Sequence, residues 1–211
     1  MRRLPVYLVL DVSGSMHGEP IEAVRNGMQM LASTLRTDPY ALETAYLSVI
    51  VFDDKARQVV PLTELMAFQP PNIEAGSTTS LGDALKVTKE SIEREVQKTT
   101  ADAKGDWKPL VFLMTDGQPT DDWEKGLNEF RKVKTGMVIA CAAGPQADST
   151  LLKKITECVV SLDTADSSTI GAFFKWVSAS ISTSSKKVDL TKSDTNELNE
   201  LPPPPPQITL V

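Results

Sequence analysis

Five short and nearly continuous apolar runs lie along the chain, at residues 5–10, 46–52, 110–114, 137–143 and 158–162. They lack the polar alternation of a strand with one solvated face, so they predict strands that are covered on both faces. A sixth segment, Ala56 to Leu62, is less apolar and carries Pro61 near its end. Proline cannot donate to a ladder of hydrogen bonds, so this segment predicts a strand at the edge of the sheet.

Between these runs, apolar residues recur with the period of a helix and mark stripes that face a core. The helix that is marked by Trp123, Leu127, Phe130 and Val133 is predicted to be capped by Thr120 or Asp121. The predicted helices cover residues 20–35, a short segment from Asp38-Pro39, residues 81–99, the segment from Trp123 to Val133, residues 149–157 and residues 168–183.

The alternation of strands and helices predicts an α/β fold, doubly wound, with a mostly parallel central sheet, helices on both faces and one antiparallel edge strand. In such sheets, ligands bind outside the carboxyl ends of the strands, where the strand order reverses. Asp11 and Asp116 each follow an apolar run directly. The fold and these polar residues therefore predict one location for a site.

The composition changes at Ser184, so we predict one domain over residues 1–183 and a tail over residues 184–211. The tail begins with a polar linker and continues into Pro202–Pro206, which is typical of polyproline II structure. Two interpretations remain open at this point. The tail is either a flexible extension or a strap that docks on its own domain or on a partner.

Composition narrows the classes of function. The net charge of -6 argues against a nucleic-acid binder, and no apolar stretch approaches the roughly 20 residues that a membrane-spanning helix needs. The opening Met-Arg-Arg-Leu-Pro leads into a run that is too short for a signal peptide. Cys141 and Cys158 lie within apolar runs and are predicted to be buried reduced thiols. We therefore expect a cytoplasmic protein with no membrane partner.

Three loops carry the candidate chemistry. Asp11-Val-Ser13-Gly-Ser15 follows the first strand, Thr115-Asp116-Gly117 follows the run at 110–114, and a hydroxyl-rich loop from Gly76 to Gly82 precedes a helix. Carboxylates and hydroxyls are hard oxygen ligands that suit a small divalent cation. The alternative is that these residues only cap the helices that follow them. Convergence of three loops on one edge of the sheet favours a metal-dependent binding site.

These motifs resemble the metal-ion-dependent adhesion site (MIDAS) of the von Willebrand factor A domain family, and the resemblance covers residues 4 to about 183. It implies that Ser13, Ser15 and Thr79 bind the metal directly and that Asp11 and Asp116 bind it directly or through water. Thr79 is chosen over Thr78 because it stands six residues before Leu85, as in the family's pattern.

The implied metal is Mg²⁺, with Mn²⁺ or Ca²⁺ as alternatives. Mg²⁺ takes about six oxygens and keeps water at positions that the protein leaves unfilled. The implied partner is a protein that presents an Asp or Glu carboxylate to the open position on the metal.

A finer resemblance rests on Thr115-Asp-Gly-Gln-Pro-Thr-Asp121 followed by Asp122-Trp123, and on the opening Met1-Arg-Arg-Leu-Pro-Val. This combination is similar to the bacterial TerY-type tellurium-resistance proteins. It implies a scaffold in the bacterial stress response to tellurite, with a kinase and a phosphatase as partners. The alternative within binding modules is an accessory subunit of a metal-chelatase or an AAA-type ATPase.

Enzymatic alternatives fit the residues less well, so we predict that the chain is not an enzyme. A phosphohydrolase of the haloacid-dehalogenase type resembles Asp-x-Asp at the first strand, but Ser13 stands at the second position. A serine hydrolase needs a base beside its nucleophile, and His17 is the only histidine. Asp53 and Asp54 are interpreted either as a second cation site or as a solvated turn.

Overall fold

The computed structural model describes residues 2–190 and 201–211. Its described residues form one 7-stranded sheet in the order β3-β2-β1-β4-β5-β6-β7. All five predicted buried strands and the predicted edge strand are confirmed. The strands are β1 (Leu4–Asp11), β2 (Ala45–Phe52), β3 (Ala56–Glu64), β4 (Leu110–Thr115), β5 (Met137–Ala143), β6 (Cys158–Leu162) and β7 (Thr209–Leu210).

Strand β1 lies at the centre of the sheet, and every residue in it is buried. It pairs in parallel with β2 on one side and β4 on the other, and β4, β5 and β6 continue the parallel order. Strand β3 pairs antiparallel with β2 and alternates between half-buried and exposed residues. This is the predicted antiparallel edge strand, and it contains Pro61 within its length rather than at its end.

Helices cover both faces of the sheet, and two separate hydrophobic cores result. At Gly27, in the first helix, an added methyl group would lie 2.2 Å from the ring of Phe174, so only glycine lets the first and last helices pack this closely. The helices are α1 (Glu19–Arg36), α2 (Pro39–Thr44), α3 (Leu81–Glu95), α4 (Trp123–Phe130), α5 (Ser149–Ile155) and α6 (Ser167–Leu190). None of the helices in the described ranges is long and apolar enough to cross a bilayer.

The predicted cap of α4 is wrong. Asp122 caps α4 by accepting a hydrogen bond from the backbone N–H of Lys125 at 3.2 Å. Asp121 instead caps the neighbouring helix α3, where its two carboxylate oxygens accept from the N–H groups of Gly82 at 3.0 Å and Asp83 at 2.9 Å. A sequence pattern assigns a cap to the helix that directly follows it. Asp121 instead satisfies the free N–H groups at the start of α3, which is adjacent to it in space but not in sequence.

Two helix ends differ from the prediction. Helix α3 ends at Glu95 rather than near Thr99, because Asp106 accepts a hydrogen bond from the N–H of Gln97 and turns the chain. Helix α6 continues past residue 183 to Leu190, and Ser184 and Ser185 are buried. The change of composition at Ser184 therefore precedes the end of the helix.

The end of the chain docks on the domain as a strap, which we define as residues 201–211. The indole N–H of Trp176 donates to the carbonyl of Pro202 at 2.8 Å, and Ile208 is buried in a core. Strand β7 pairs antiparallel with β6 and forms a second antiparallel edge. The strap interpretation holds for these residues, whereas the predicted polar linker at 191–200 lies outside the described residues. Cys141 and Cys158 are buried and unpaired, as predicted.

Candidate metal centre

Asp11 is the last residue of β1 and is only 1% exposed. Its Oδ1 accepts a hydrogen bond from the N–H of Ser13 at 2.8 Å, and its Oδ2 accepts from the hydroxyl of Thr115 at 2.5 Å. Burial raises the pKa of Asp11 to about 6, although these hydrogen bonds oppose the shift. The structure therefore holds a carboxylate in an environment that penalises its negative charge.

The two serines connect β1 to β4. Ser13 and Ser15 flank the start of a 3-10 turn, Gly14–Met16, and their hydroxyl oxygens lie 3.1 Å apart. The hydroxyl of Ser15 donates to Oδ1 of Asp116 at 2.8 Å across 101 residues of sequence. Burial also raises the pKa of Asp116, which follows β4 directly. Because β1 and β4 are adjacent and parallel, their polar ends meet at one edge of the sheet.

Thr79 completes the group from the third loop. It is buried, and its hydroxyl has no hydrogen-bond partner within the described residues. A methyl group built on Gly117 would lie 3.6 Å from Thr79 Oγ1 and 3.9 Å from Ser15 Oγ, so both hydroxyls border the same small space. Thr78 is exposed. The structure thus brings together all the residues that were predicted to form the site.

Thr115 and Thr120 support the site but were not predicted to do so. Thr115 holds Asp11, and the N–H of Thr120 donates to the carbonyl of Thr79 at 2.8 Å. The sequence does offer a signal for Thr115, which is a polar residue that ends an otherwise apolar strand. The sequence offers no comparable signal for Thr120, because its partner is 41 residues away.

Backbone contacts lock the loops to one another. The N–H of Gly76 donates to the carbonyl of Val12 at 2.6 Å, and the N–H of Gly14 donates to the carbonyl of Ser77 at 2.8 Å. A methyl group on Gly76 would lie 2.3 Å from Oδ2 of Asp53, so this approach requires glycine. The loop that carries Thr79 is therefore fixed against β1 by main-chain geometry, independently of any metal.

Asp53 serves this packing, so of its two interpretations the solvated turn is wrong for it. Asp53 is buried and its Oδ1 accepts from Arg57 at 2.8 Å, whereas Asp54 is exposed. Burial alone would raise the pKa of Asp53, but hydrogen bonds from Arg57 and from the N–H of Lys55 outweigh it and lower the pKa. Asp53 is therefore neutralised by a cation of the chain itself, unlike Asp11 and Asp116.

The donor set consists of two carboxylates and three hydroxyls, all of them hard oxygen ligands that suit a small divalent cation. The described residues contain no group of three or more His, Cys, Asp or Glu side chains that could hold a metal. Two buried carboxylates with raised pKa values and one hydroxyl without a partner fit a bound cation, which would supply the missing positive charge.

The site opens to solvent. Ser15 is exposed, and together with Thr79 and Asp116 it lines a cleft of about 410 Å³ whose wall also carries Gln118 and Gln146. His17 follows the 3-10 turn and is exposed. A ligand from a second molecule can therefore reach the hydroxyl and carboxylate oxygens.

Comparison with protein families finds one match over most of the chain. Residues 6–175 match the model of the von Willebrand factor type A domain. An uncharacterised protein of Synechocystis is 33% identical over 144 residues, a region that covers 65% of this chain and 30% of that protein. The chain thus spans less than a third of the length of this relative.

Solved structures show the same fold at low sequence identity. Proximal thread matrix protein 1 from the mussel byssus, in a structure with a zinc-occupied MIDAS motif, superposes with a TM-score of 0.60 at 19% identity, over 84% of this chain and 48% of that protein. The pilus adhesin SpaC from Lactobacillus rhamnosus GG superposes with a TM-score of 0.68 at 16% identity, over 87% of this chain and 31% of that one.

Proposed function

This chain belongs to the von Willebrand factor type A domain family, and from that premise we propose that it captures a partner protein through a divalent cation at the candidate metal centre. Domains of this family generally mediate metal-dependent interactions between proteins. The observation that carries the proposal is the hydrogen bond from Ser15 to Asp116, which joins the loop after β1 to the loop after β4 beside the hydroxyl of Thr79.

We propose that the protein ligands of the metal are Asp11, Ser13, Ser15, Thr79 and Asp116. Three of these side chains are neutral hydroxyls, so they compensate little of the charge of a divalent ion. Bound Mg²⁺ would supply a Lewis-acidic position for an anionic oxygen atom. The protein's own residues would then have two roles. The buried carboxylates would hold the ion, and the exposed side of the cleft would admit an Asp or Glu of the partner.

Mg²⁺ is the proposed occupant because the donor set contains only oxygen and leaves room for water. Mn²⁺ and Ca²⁺ accept the same ligand type. The zinc in the MIDAS motif of the mussel protein is a property of that protein. We further propose that the chain has no turnover of its own, since Ser13 stands where a haloacid-dehalogenase nucleophile loop has its second aspartate.

The biological setting is a finer proposal. The segment from Thr115 to Trp123 supports a TerY-type scaffold in the bacterial response to tellurite, in the cytoplasm, with a kinase and a phosphatase among its partners. Part of this segment has a structural task, because Asp121 and Asp122 cap two helices. The identity of the partners therefore has to be tested by a separate experiment.

The test is capture of partners from a lysate of the source cells on the immobilised protein. We expect a set of proteins that is retained in excess Mg²⁺ and released by chelator. The Asp116→Ala variant should fail to retain the set. Equal retention in the presence of chelator, or by Asp116→Ala, would contradict a metal-dependent interaction. Absence of a kinase or phosphatase from the retained set would contradict only the TerY-type setting.

A further inference from the structure

A second pocket lies at the amino-terminal end of the sheet, opposite the candidate metal centre. It has a volume of about 540 Å³ and opens between the end of α3, the segment 105–109 that leads into β4, and the segment 132–134 that follows α4. Its apolar wall is formed by Ile92, Val96, Trp107 and Val133. Pockets for small organic ligands have volumes of roughly 300–1,000 Å³ and mostly apolar walls.

The acidic residues around this pocket are already neutralised. The carboxylate of Asp106 accepts hydrogen bonds from Arg3 at 2.8 and 2.5 Å and from the N–H of Gln97 at 2.8 Å. Glu93 forms an ion pair with Lys89 at 2.9 Å. Neither carboxylate is therefore available to balance the other charged groups that line the pocket.

Several basic residues remain uncompensated there. Lys98, Lys108 and Lys134 line the pocket, and none of them has an acidic partner within the described residues. Lys132 also lines it but pairs with Glu129 at 2.5 Å. In a chain with a net charge of -6, three unpaired lysines around one pocket form a local excess of positive charge.

Trp107 forms the aromatic part of the pocket wall. Its side chain is 3% exposed, and its indole N–H has no hydrogen-bond partner within the described residues. The indole N–H has almost no accessible surface of its own, so a ligand in the pocket would contact the ring rather than this N–H. The guanidinium of Arg2 lies 4.7 Å from the centre of the Trp107 ring.

Glycines hold the walls of the pocket in place. A methyl group on Gly105 would lie 2.3 Å from the carbonyl oxygen of Gln97, and one on Gly136 would lie 2.9 Å from the carbonyl oxygen of Lys108. These contacts fix the loop after α3 and the loop after α4 against the segment that enters β4. The pocket is therefore formed by packed main chain before any ligand arrives.

We propose that this pocket binds a small organic anion, with an aromatic or aliphatic body against Trp107 and Val96 and a carboxylate or phosphate group among Lys98, Lys108 and Lys134. The apolar wall accounts for the body, and the unpaired lysines account for the charge. The site is at the opposite end of the sheet from the candidate metal centre. Binding there is therefore independent of a divalent cation.

The test uses phenylacetate and phenyl phosphate as probes and the indole N–H resonances of the full chain in a ¹H–¹⁵N spectrum. The Trp107 resonance is assigned by its loss in Trp107→Phe. We expect saturable movement of this resonance at low salt, equally with Mg²⁺ or chelator. The Lys108→Gln/Lys134→Gln variant should weaken binding about five-fold or more, because it removes two of the three unpaired positive charges that line the pocket. The exposed control Lys175→Gln should change it less than about two-fold.

Two outcomes would overturn the proposal. One is a Trp107 resonance that neither probe moves, or that neutral phenylacetamide moves as far as phenylacetate does. The other is binding of the acidic peptide acetyl-Asp-Glu-Phe-Asp-amide at least about ten-fold more tightly than either probe, which would assign the pocket to a protein partner. The comparison of phenylacetate with phenylacetamide tests for a fully apolar ligand. The comparison of Mg²⁺ with chelator tests for a metal-dependent ligand.

Discussion

At the scale of single residues, the candidate metal centre depends on Asp11. Its carboxylate is nearly inaccessible, and two hydrogen bonds do not fully offset the cost of burying its charge, so its pKa rises to about 6. A folded-state pKa above the unfolded value of 3.8 favours the protonated form. The stability associated with this group is thus fully present below about pH 4 and is lost as the pH rises through about 6.

The raised pKa of Asp11 predicts how the stability of the Asp11→Asn variant compares with wild type in the absence of metal. The amide can still accept from the N–H of Ser13 and can donate to Thr115, but it carries no buried charge. In chelator at pH 7.5, we expect the variant to be more stable than wild type by about 1–3 kcal/mol. The advantage should disappear near pH 4, where wild-type Asp11 is protonated.

Urea unfolding at pH 4 and pH 7.5 measures this difference. In the presence of Mg²⁺ at pH 7.5, wild type should become more stable than Asp11→Asn, because only wild type gains stability from the cation. An Asp11→Asn variant that is less stable than wild type in chelator at both pH values would show that Asp11 acts only as a structural hydrogen-bond acceptor.

At the scale of elements, apolar periodicity predicted the strands and helices well, because burial on both faces leaves a continuous apolar run such as that of β1. It failed where an element ends through a tertiary contact. Asp106 ends α3 by binding Gln97, and Asp121 caps α3 from another loop. These partners are 9 and 39 residues apart in sequence, beyond the reach of the i to i+4 pattern of a helix.

The two neighbouring aspartates give a matched comparison. Asp121→Ala should destabilise the domain by about 1–2 kcal/mol, because it removes two hydrogen bonds from the start of α3, where Gly82 packs against α4. Asp122→Ala should cost about half as much, since its side chain accepts one bond at 3.2 Å and is exposed. Urea unfolding of both variants checks the order, and a larger loss for Asp122→Ala would contradict the assignment of the caps.

At the scale of the whole molecule, the sequence predicted that Asp11, Ser15 and Asp116 meet at one edge of the sheet, because they follow strands that run in parallel. The exact placement of Thr79 follows from Gly76 and Thr120, which no pattern identified. The sequence also left open whether the tail docks. Its docking depends on complementarity between Ile208, Trp176 and a core that is formed elsewhere in the chain.

The strap predicts an unequal effect of two neighbouring aliphatic residues. Ile208→Ala should lower the free energy of unfolding by about 2 kcal/mol or more, because Ile208 is 5% exposed and packs in a core. Leu210→Ala should change it by less than about 0.5 kcal/mol, because Leu210 is 54% exposed. Thermal unfolding of both variants distinguishes them, and equal small effects would mean that the strap does not contribute to the fold in solution.

One cation bound by three loops is the central feature of the proposed site, and calorimetric titration of Mg²⁺ into the chelator-stripped protein tests it most directly. We expect saturable binding to wild type and to Thr78→Ala, whose side chain is exposed outside the site. Binding should be lost in Ser13→Ala/Ser15→Ala and weakened at least about ten-fold in Thr79→Ala. Equal Mg²⁺ affinity in all four proteins, or stronger dependence on Thr78 than on Thr79, would contradict a metal centre built from these loops.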